Sequence, residues 1–218
     1  MNDTRPTAPA VRQRLERGRY RRLDARDARH LRAHLLRLHP DDLRSRFMAT
    51  APRLFVNRYV RAIDWRNAVL VGCFIGRSLR GVTELYPIKG RHAEMAVSVE
   101  RRFQGRGIGA GLLSRSFLLA RNRGFTEVEF RCLASNQRMR NLVKKFDSRI
   151  SIDATEAAAI VHSLPPTAAT YVIEMVEQAN LFGATLIRFW IDRAGRGWGS
   201  VEWPTQEDLF AASRSRAA

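Results

Sequence analysis

Cysteine is scarce in this chain, with two residues in 218, and lysine is nearly as scarce, with Lys89, Lys144 and Lys145 the full set. Cys73 and Cys132 lie in strand-like runs without metal-ligand spacing, and the five histidines form no cluster, which argues against a disulfide scaffold or a metal module. Reduced thiols of a cytoplasmic protein are expected. No apolar run reaches the roughly 20 residues of a membrane span. "AVLVGCFIG" is too short, and the apolar C-terminal stretch is broken by Glu174 and Glu177. The opening "MNDTRPTAPAVRQRLERGRYRR" has no apolar core of a secretory signal, so no membrane partner is expected. Acidic residues are outnumbered 21 to 38 by Lys and Arg, giving a formal charge of +17, almost all of it arginine. Such an excess attracts polyanions in general. No aromatic-interleaved basic stripe, zinc-finger spacing or recognition-helix pattern accompanies it, so nucleic acid is not expected as the partner.

What is present reads as three regions: a flexible basic arm over 1–19, one α/β domain over 20–164 and a helical extension over 165–218. "YRRLDARDARHLRAHLLRLHPDDLRSRF" predicts a short strand and two helices. Asp24 is placed to cap the first, Leu31, Leu35 and Leu38 share one face, and Pro40 suits the start of the second. "PRLFVNRYVRAID" predicts a third helix. "NAVLVGCFI" and "GVTELYPI" predict a hairpin, and "HAEMAVSVE" a strand with Met95, Val97 and Val99 on one face and Glu94, Ala96 and Ser98 on the other. A helix from about Gly107 to Arg123, the strand "TEVEFRCL", the short helix "SNQRMRNLVKKF" and a second hairpin, "SRISI" with "AAAIVHSL", complete the domain.

The informative stretch is "VSVERRFQGRGIGAGLL", where glycines 105, 107, 109 and 111 separate a strand from a helix. Such a turn presents backbone N–H groups to a phosphate. The G-x-x-x-x-G-K-[ST] loop of nucleoside triphosphatases is absent. "GRGIGA" satisfies a dinucleotide fingerprint, with Glu127 at the expected distance. However, Glu100 to Phe103 intervene between strand and glycines, and antiparallel hairpins lie upstream. Q-x-x-G-x-G fits better, as Gln104-Gly105-Arg106-Gly107-Ile108-Gly109, with Arg101, Arg102 and Arg106 adding positive charge.

That motif resembles the acyl-CoA-binding turn of GCN5-related N-acetyltransferases (GNAT). The order of strand "EMAVSV", glycine turn, helix "LLSRSFLLARNRG", strand "EVEFRCL" and Asn136 opening the next helix is similar too. The likeness is greatest to the GNAT domains of bacterial protein-lysine acetyltransferases. These share the segment ending in Arg46-Phe47 and the Ala93-Glu94 pair on the strand before the turn. The resemblance implies a GNAT-like fold, a mixed and mostly antiparallel sheet flanked by helices, with acetyl-CoA as cosubstrate. It implies that Glu94 is the general base, acting through water. The pantetheine arm would lie along Val97, Ser98 and Val99, and the turn from Gln104 to Gly109 would hold the pyrophosphate. Asn136 would contact the arm, and a backbone N–H of Val97 or Ala96, near a bulge, would meet the thioester oxygen. The Ser98 side chain itself reads as a plain outward strand residue. For Glu94 the alternative is a surface ion pair with Arg91 or His92, and for Asn136 a helix cap.

Two features depart from the family pattern. No tyrosine follows Asn136 on its helix to serve as general acid, and the nearest in sequence are Tyr86 and Tyr171. Asp147 stands where a glycine commonly precedes the next strand. The acceptor reads as a protein lysine, with a small amine, or a non-catalytic acyl-CoA-sensing module, as the alternatives. From Thr167 to Ile191 a broad apolar helical surface, including Val172, Met175, Leu186 and Phe189, predicts a homodimer through that helix.

Overall fold

The computed structural model describes residues 18–146, 148–153 and 155–177. Strand β1 (Arg19–Arg22) is followed by three helices, α1 (Ala28–Arg37), α2 (Pro40–Phe47) and α3 (Arg53–Ala62). The hairpin of β2 (Val69–Ile75) and β3 (Ser78–Pro87) leads to β4 (His92–Val99), the glycine turn and α4 (Ile108–Asn122). Strand β5 (Glu127–Leu133), helix α5 (Gln137–Val143), strands β6 (Ser148–Ile152) and β7 (Glu156–His162) and a helix described over 168–177 complete the order. The first helix begins later than Asp24 suggests. Asp24 caps a 3-10 turn (Ala25–Asp27), where the Asp27 carboxylate accepts the Asp24 N–H and pairs with Arg21 at 2.6 Å, and α1 follows. None of the helices among the described residues is long and apolar enough to cross a membrane.

The strands form one sheet in the order β1-β2-β3-β4-β5-β7-β6, mixed and mostly antiparallel as the resemblance implies. Only β4 and β5 run parallel. Its two faces carry two cores. Helix α4 covers one through Ile108, Leu112 and Leu113 against Val71, Leu85, Met95 and Phe130. Helices α1 and α3 cover the other through Leu31, Leu35, Val56 and Val60 against Leu70, Phe74 and Val82. Strand β2 faces both, which is why "VLVGCF" is apolar without alternation. The helix over 168–177 is tied to the end of α4, where the Tyr171 hydroxyl donates to Asn122 O at 3.0 Å. The rest of the expected Thr167–Ile191 helix, the proposed dimer contact on it, Asp147 and nearly all of the 1–19 arm lie outside the described residues.

Candidate active site

Strands β4 and β5 pair only from His92↔Glu127 to Glu94↔Glu129, while β4 stays paired with β3 as far as Gly81↔Val99. Beyond Glu94 the far edge of β4 therefore opens into a gap. Ile88 N–H to His92 O and Glu100 N–H to Arg80 O, both 3.0 Å, mark the even-numbered residues as those bonded to β3. Antiparallel pairing alternates, so the backbone groups of Met95, Val97 and Val99 point into the gap. An extended chain bearing amides, as pantetheine is, can pair with such an edge as an added strand would. The register runs unbroken through Ala96 and Val97, so the expected bulge is not present. Val97 N–H faces the gap, whereas Ala96, paired with Glu84, faces β3.

At the end of β4 a 3-10 turn (Arg101–Phe103) carries the chain to the glycines. Gly105 and Gly107 have φ of +72° and +78°, and a Cβ on either would meet no protein atom within 4 Å. Here glycine supplies the left-handed backbone beside open space, a cradle a phosphate group can enter. The other two glycines serve packing. A Cβ on Gly109 would stand 3.0 Å from Leu142 of α5, and one on Gly111 2.7 Å from the Tyr20 hydroxyl. The first amide of α4 to reach a carbonyl is Gly111 N–H, bonded to Gly107 O at 2.9 Å, which leaves the helix-terminal donors Ile108, Gly109 and Ala110 outside the ladder. The 15-residue helix adds its positive end to them.

The side chains around the turn are arranged differently from the sequence expectation. Gln104 closes the turn: its Nε2 donates to Val99 O at 2.8 Å and its Oε1 accepts from Arg138 at 2.5 Å. Arg138 thereby brings a charge from α5 that the sequence reading did not include. Arg101 is engaged elsewhere, with Asp41 at 2.9 Å and Asp42 at 3.0 Å at the start of α2. Arg102 and Arg106 remain exposed beside the turn, and Arg106 leans over the Phe103 ring. Asn136 caps α5, its Oδ1 accepting from Met139 N–H at 3.1 Å.

Glu94 lies at the mouth of the gap, exposed and without an ion pair or hydrogen bond among the described residues. The ion pair weighed for it does not form. Arg91 donates to Gly124 O, and His92 approaches Glu127 at 3.4 Å. Of the two tyrosines nearest to Asn136 in sequence, Tyr86 is directly opposite Glu94 across β3 and β4.

Ser98 corrects the reading most sharply. It is 8% exposed, not outward. Its backbone pairs with Val82, and its hydroxyl is 2.9 Å from His34 Nε2 beneath α1. His34 Nδ1 in turn is 3.4 Å from Glu100 Oε1, and Arg37 and Arg80 also bind that carboxylate at 2.9 and 2.8 Å. Glu100 can only accept, so Nδ1 carries the proton and Nε2 accepts from Ser98. Neither the amide nor the side chain of Ser98 reaches the gap; the residue instead braces the strand whose other edge does. These partners lie more than 60 positions apart in sequence, and no local pattern announces them.

This network makes folding stability sensitive to acid. Burial holds His34 below its ordinary pKa. Burial raises Glu100, but His34, Arg37 and Arg80 more than offset it and leave the carboxyl low. The unfolded histidine binds a proton as pH falls below 6.5 while the folded one resists, so stability declines with falling pH from that point. The Glu100 contribution, complete above 4.5, is lost lower still, as pH falls through its depressed folded value. Thermal melts against pH are expected to show this, and His34→Gln should flatten the upper part of the decline. An unchanged upper limb in the variant would refute the assignment.

The sequence model of the Acetyltransferase (GNAT) family matches residues 27–147. Among solved structures, the GNAT domain of S. lividans PAT superposes with a TM-score of 0.59 at 21% identity, over 66% of this chain and 90% of that one. The PaiA N-acetyltransferase from Thermoplasma acidophilum, in complex with coenzyme A, gives 0.51 at 14%, over 67% and 99%. A ribosomal-protein-alanine N-acetyltransferase from Brucella melitensis gives 0.52 at 14%, over 65% and 96%. At these identities the likeness is one of fold. No curated protein matches the chain by sequence.

Proposed function

The chain belongs to the GNAT acetyltransferase family, with acetyl-CoA as cosubstrate, and from that premise we propose that it acetylates a protein lysine, with Glu94 as the base. The observation that carries this reading is Glu94, exposed and without a partner among the described residues, at the point where β4 and β5 part. Small-molecule sites usually enclose their ligand, whereas an exposed base at the point where two strands part suits a side chain presented by a macromolecule.

Bound acetyl-CoA supplies an acetyl group activated as a thioester. Gly105, Gly107 and the free end of α4 hold the pyrophosphate, and the Val97 and Val99 backbone aligns the arm. Asn136, whose side chain caps α5, lies beside it. Val97 N–H donates to the carbonyl oxygen as charge develops there. Glu94 takes a proton from the ammonium through water, so that the neutral nitrogen forms the new C–N bond as the C–S bond breaks; coenzyme A leaves as its thiolate and takes up the second proton that the amide nitrogen sheds.

The purified protein with acetyl-CoA is expected to leave acetyl-lysine on protein acceptors, read by mass spectrometry, and to turn over polyamines and free amino acids poorly. Turnover confined to small amines would remove the protein-lysine assignment.

A further inference from the structure

Beside Glu94, on the same face of the sheet, lies a buried polar cluster that the proposed reaction leaves unused. Glu84 on β3 is fully buried. Its Oε1 accepts from Arg46 of α2 at 2.8 Å, and its Oε2 accepts from the Tyr59 hydroxyl of α3 at 2.5 Å. The Tyr86 hydroxyl is 3.0 Å from that same oxygen and 2.9 Å from the Tyr59 hydroxyl, and Arg46 also donates to Tyr59 at 2.9 Å. Burial, then the neighbouring Glu84 charge, push both phenols above their ordinary range, so both remain protonated donors at neutral pH.

Such a cluster is a poor device for stability alone, because matched apolar side chains often serve a core as well as a buried ion pair does. Its placement suggests a different use. Tyr86 and Glu94 are cross-strand partners, with side chains on one face. The Tyr86 hydroxyl is tied back toward Glu84, whose own partner on β4 is the small Ala96. The ring is thus held in one pose beside Glu94, half-buried against the core that α1 and α3 cover. Phe47 packs edge-on against Phe55 at 5.1 Å and Tyr59 at 4.9 Å, which extends the aromatic surface outward to Phe55, 42% exposed. Helix α2 ends in Met48 with φ of +56°, a backbone conformation that favours glycine. An aromatic surface beside a carboxylate recognises an alkylammonium group.

We propose that Tyr86 is a fixed aromatic surface against which the acceptor amine docks beside Glu94, and that Glu84, Arg46 and Tyr59 are positioning residues that act through it on the incoming amine. This rests on the assignment of Glu94 made above.

The test replaces the ion pair as a unit, Glu84→Met with Arg46→Leu, so that no buried charge is orphaned. Nα-acetyl-lysine methylamide and poly-L-lysine serve as acceptor probes. Acetyl-CoA affinity should be unchanged, while kcat/KM for the acceptor falls about 10- to 100-fold, mostly through KM, as expected when a reactant is held loosely. Tyr86→Phe, which keeps the ring and removes its tether, should show the same change in smaller measure and decides the matter if the double variant does not fold. A readout without acceptor is the Tyr86 ring-current shift on the Glu94 methylene protons, which should collapse in either variant. Unchanged acceptor kcat/KM in a folded variant, or Glu94 resonances that do not respond, overturns the proposal. Glu94→Gln, assayed alongside, reports on the base assignment by itself. Loss of that assignment would show as normal turnover in Glu94→Gln, whatever the cluster variants do.

Discussion

Replacing Gly105 and Gly107 together by alanine is expected to abolish acetyl-CoA binding in calorimetry while the protein remains folded. Both glycines have positive φ, and an added Cβ at either finds no protein atom within 4 Å. Protein packing therefore tolerates the methyls, and they occupy the space that the cradle offers a pyrophosphate. The backbone penalty is about 1–2 kcal/mol per residue, which a folded domain can absorb. Gly124 provides the matched control, with φ of +76° and equally open surroundings at the far end of α4. Gly124→Ala carries the same strain and should bind acetyl-CoA normally. Alanine at Gly109 or Gly111 would confuse the experiment, because those Cβ atoms press on Leu142 at 3.0 Å and overlap the Tyr20 hydroxyl at 2.7 Å, and so act on packing. A folded Gly105→Ala/Gly107→Ala protein with wild-type affinity would sink the assignment of this turn to the cofactor.

Glu94→Gln is expected to retain acetyl-CoA affinity and lose turnover by about 10²-fold or more, the usual contribution of a positioned acid–base group. The substitution preserves shape and removes only the ability to take a proton. Glu94 is exposed and holds no partner among the described residues, so no buried group is orphaned and stability should stay within about 0.5 kcal/mol. The acid side of the pH–rate profile should flatten in the same variant. Normal turnover with an unchanged profile would return Glu94 to the role of a surface residue.

Local patterns in the sequence determined the elements and their order. Two-residue alternation marked β4 and β5, glycine spacing marked the strand-to-helix turn, and Pro40 marked the start of α2. Each depends on neighbours within a few positions, which a linear reading can see. The motif from Gln104 to Gly109 marked a phosphate-binding turn in the same way, and its resemblance to the GNAT motif pointed to acyl-CoA. What the motif could not do was divide its own residues by task. Only packing shows that Gly105 and Gly107 border open space while Gly109 and Gly111 admit Leu142 and Tyr20. Only the register of β3 with β4 decides which backbone groups enter the gap, because one residue's shift would turn Ser98 outward and Val97 away. Arg101 reads like the other arginines of its run, yet α2 brings Asp41 and Asp42 to it from about 60 positions away. That Tyr86 stands beside Glu94 was likewise invisible, because only the pairing of β3 with β4 brings the two together. Contacts of that kind arise from how layers of the fold close on one another, and the chain carries no local signal for them.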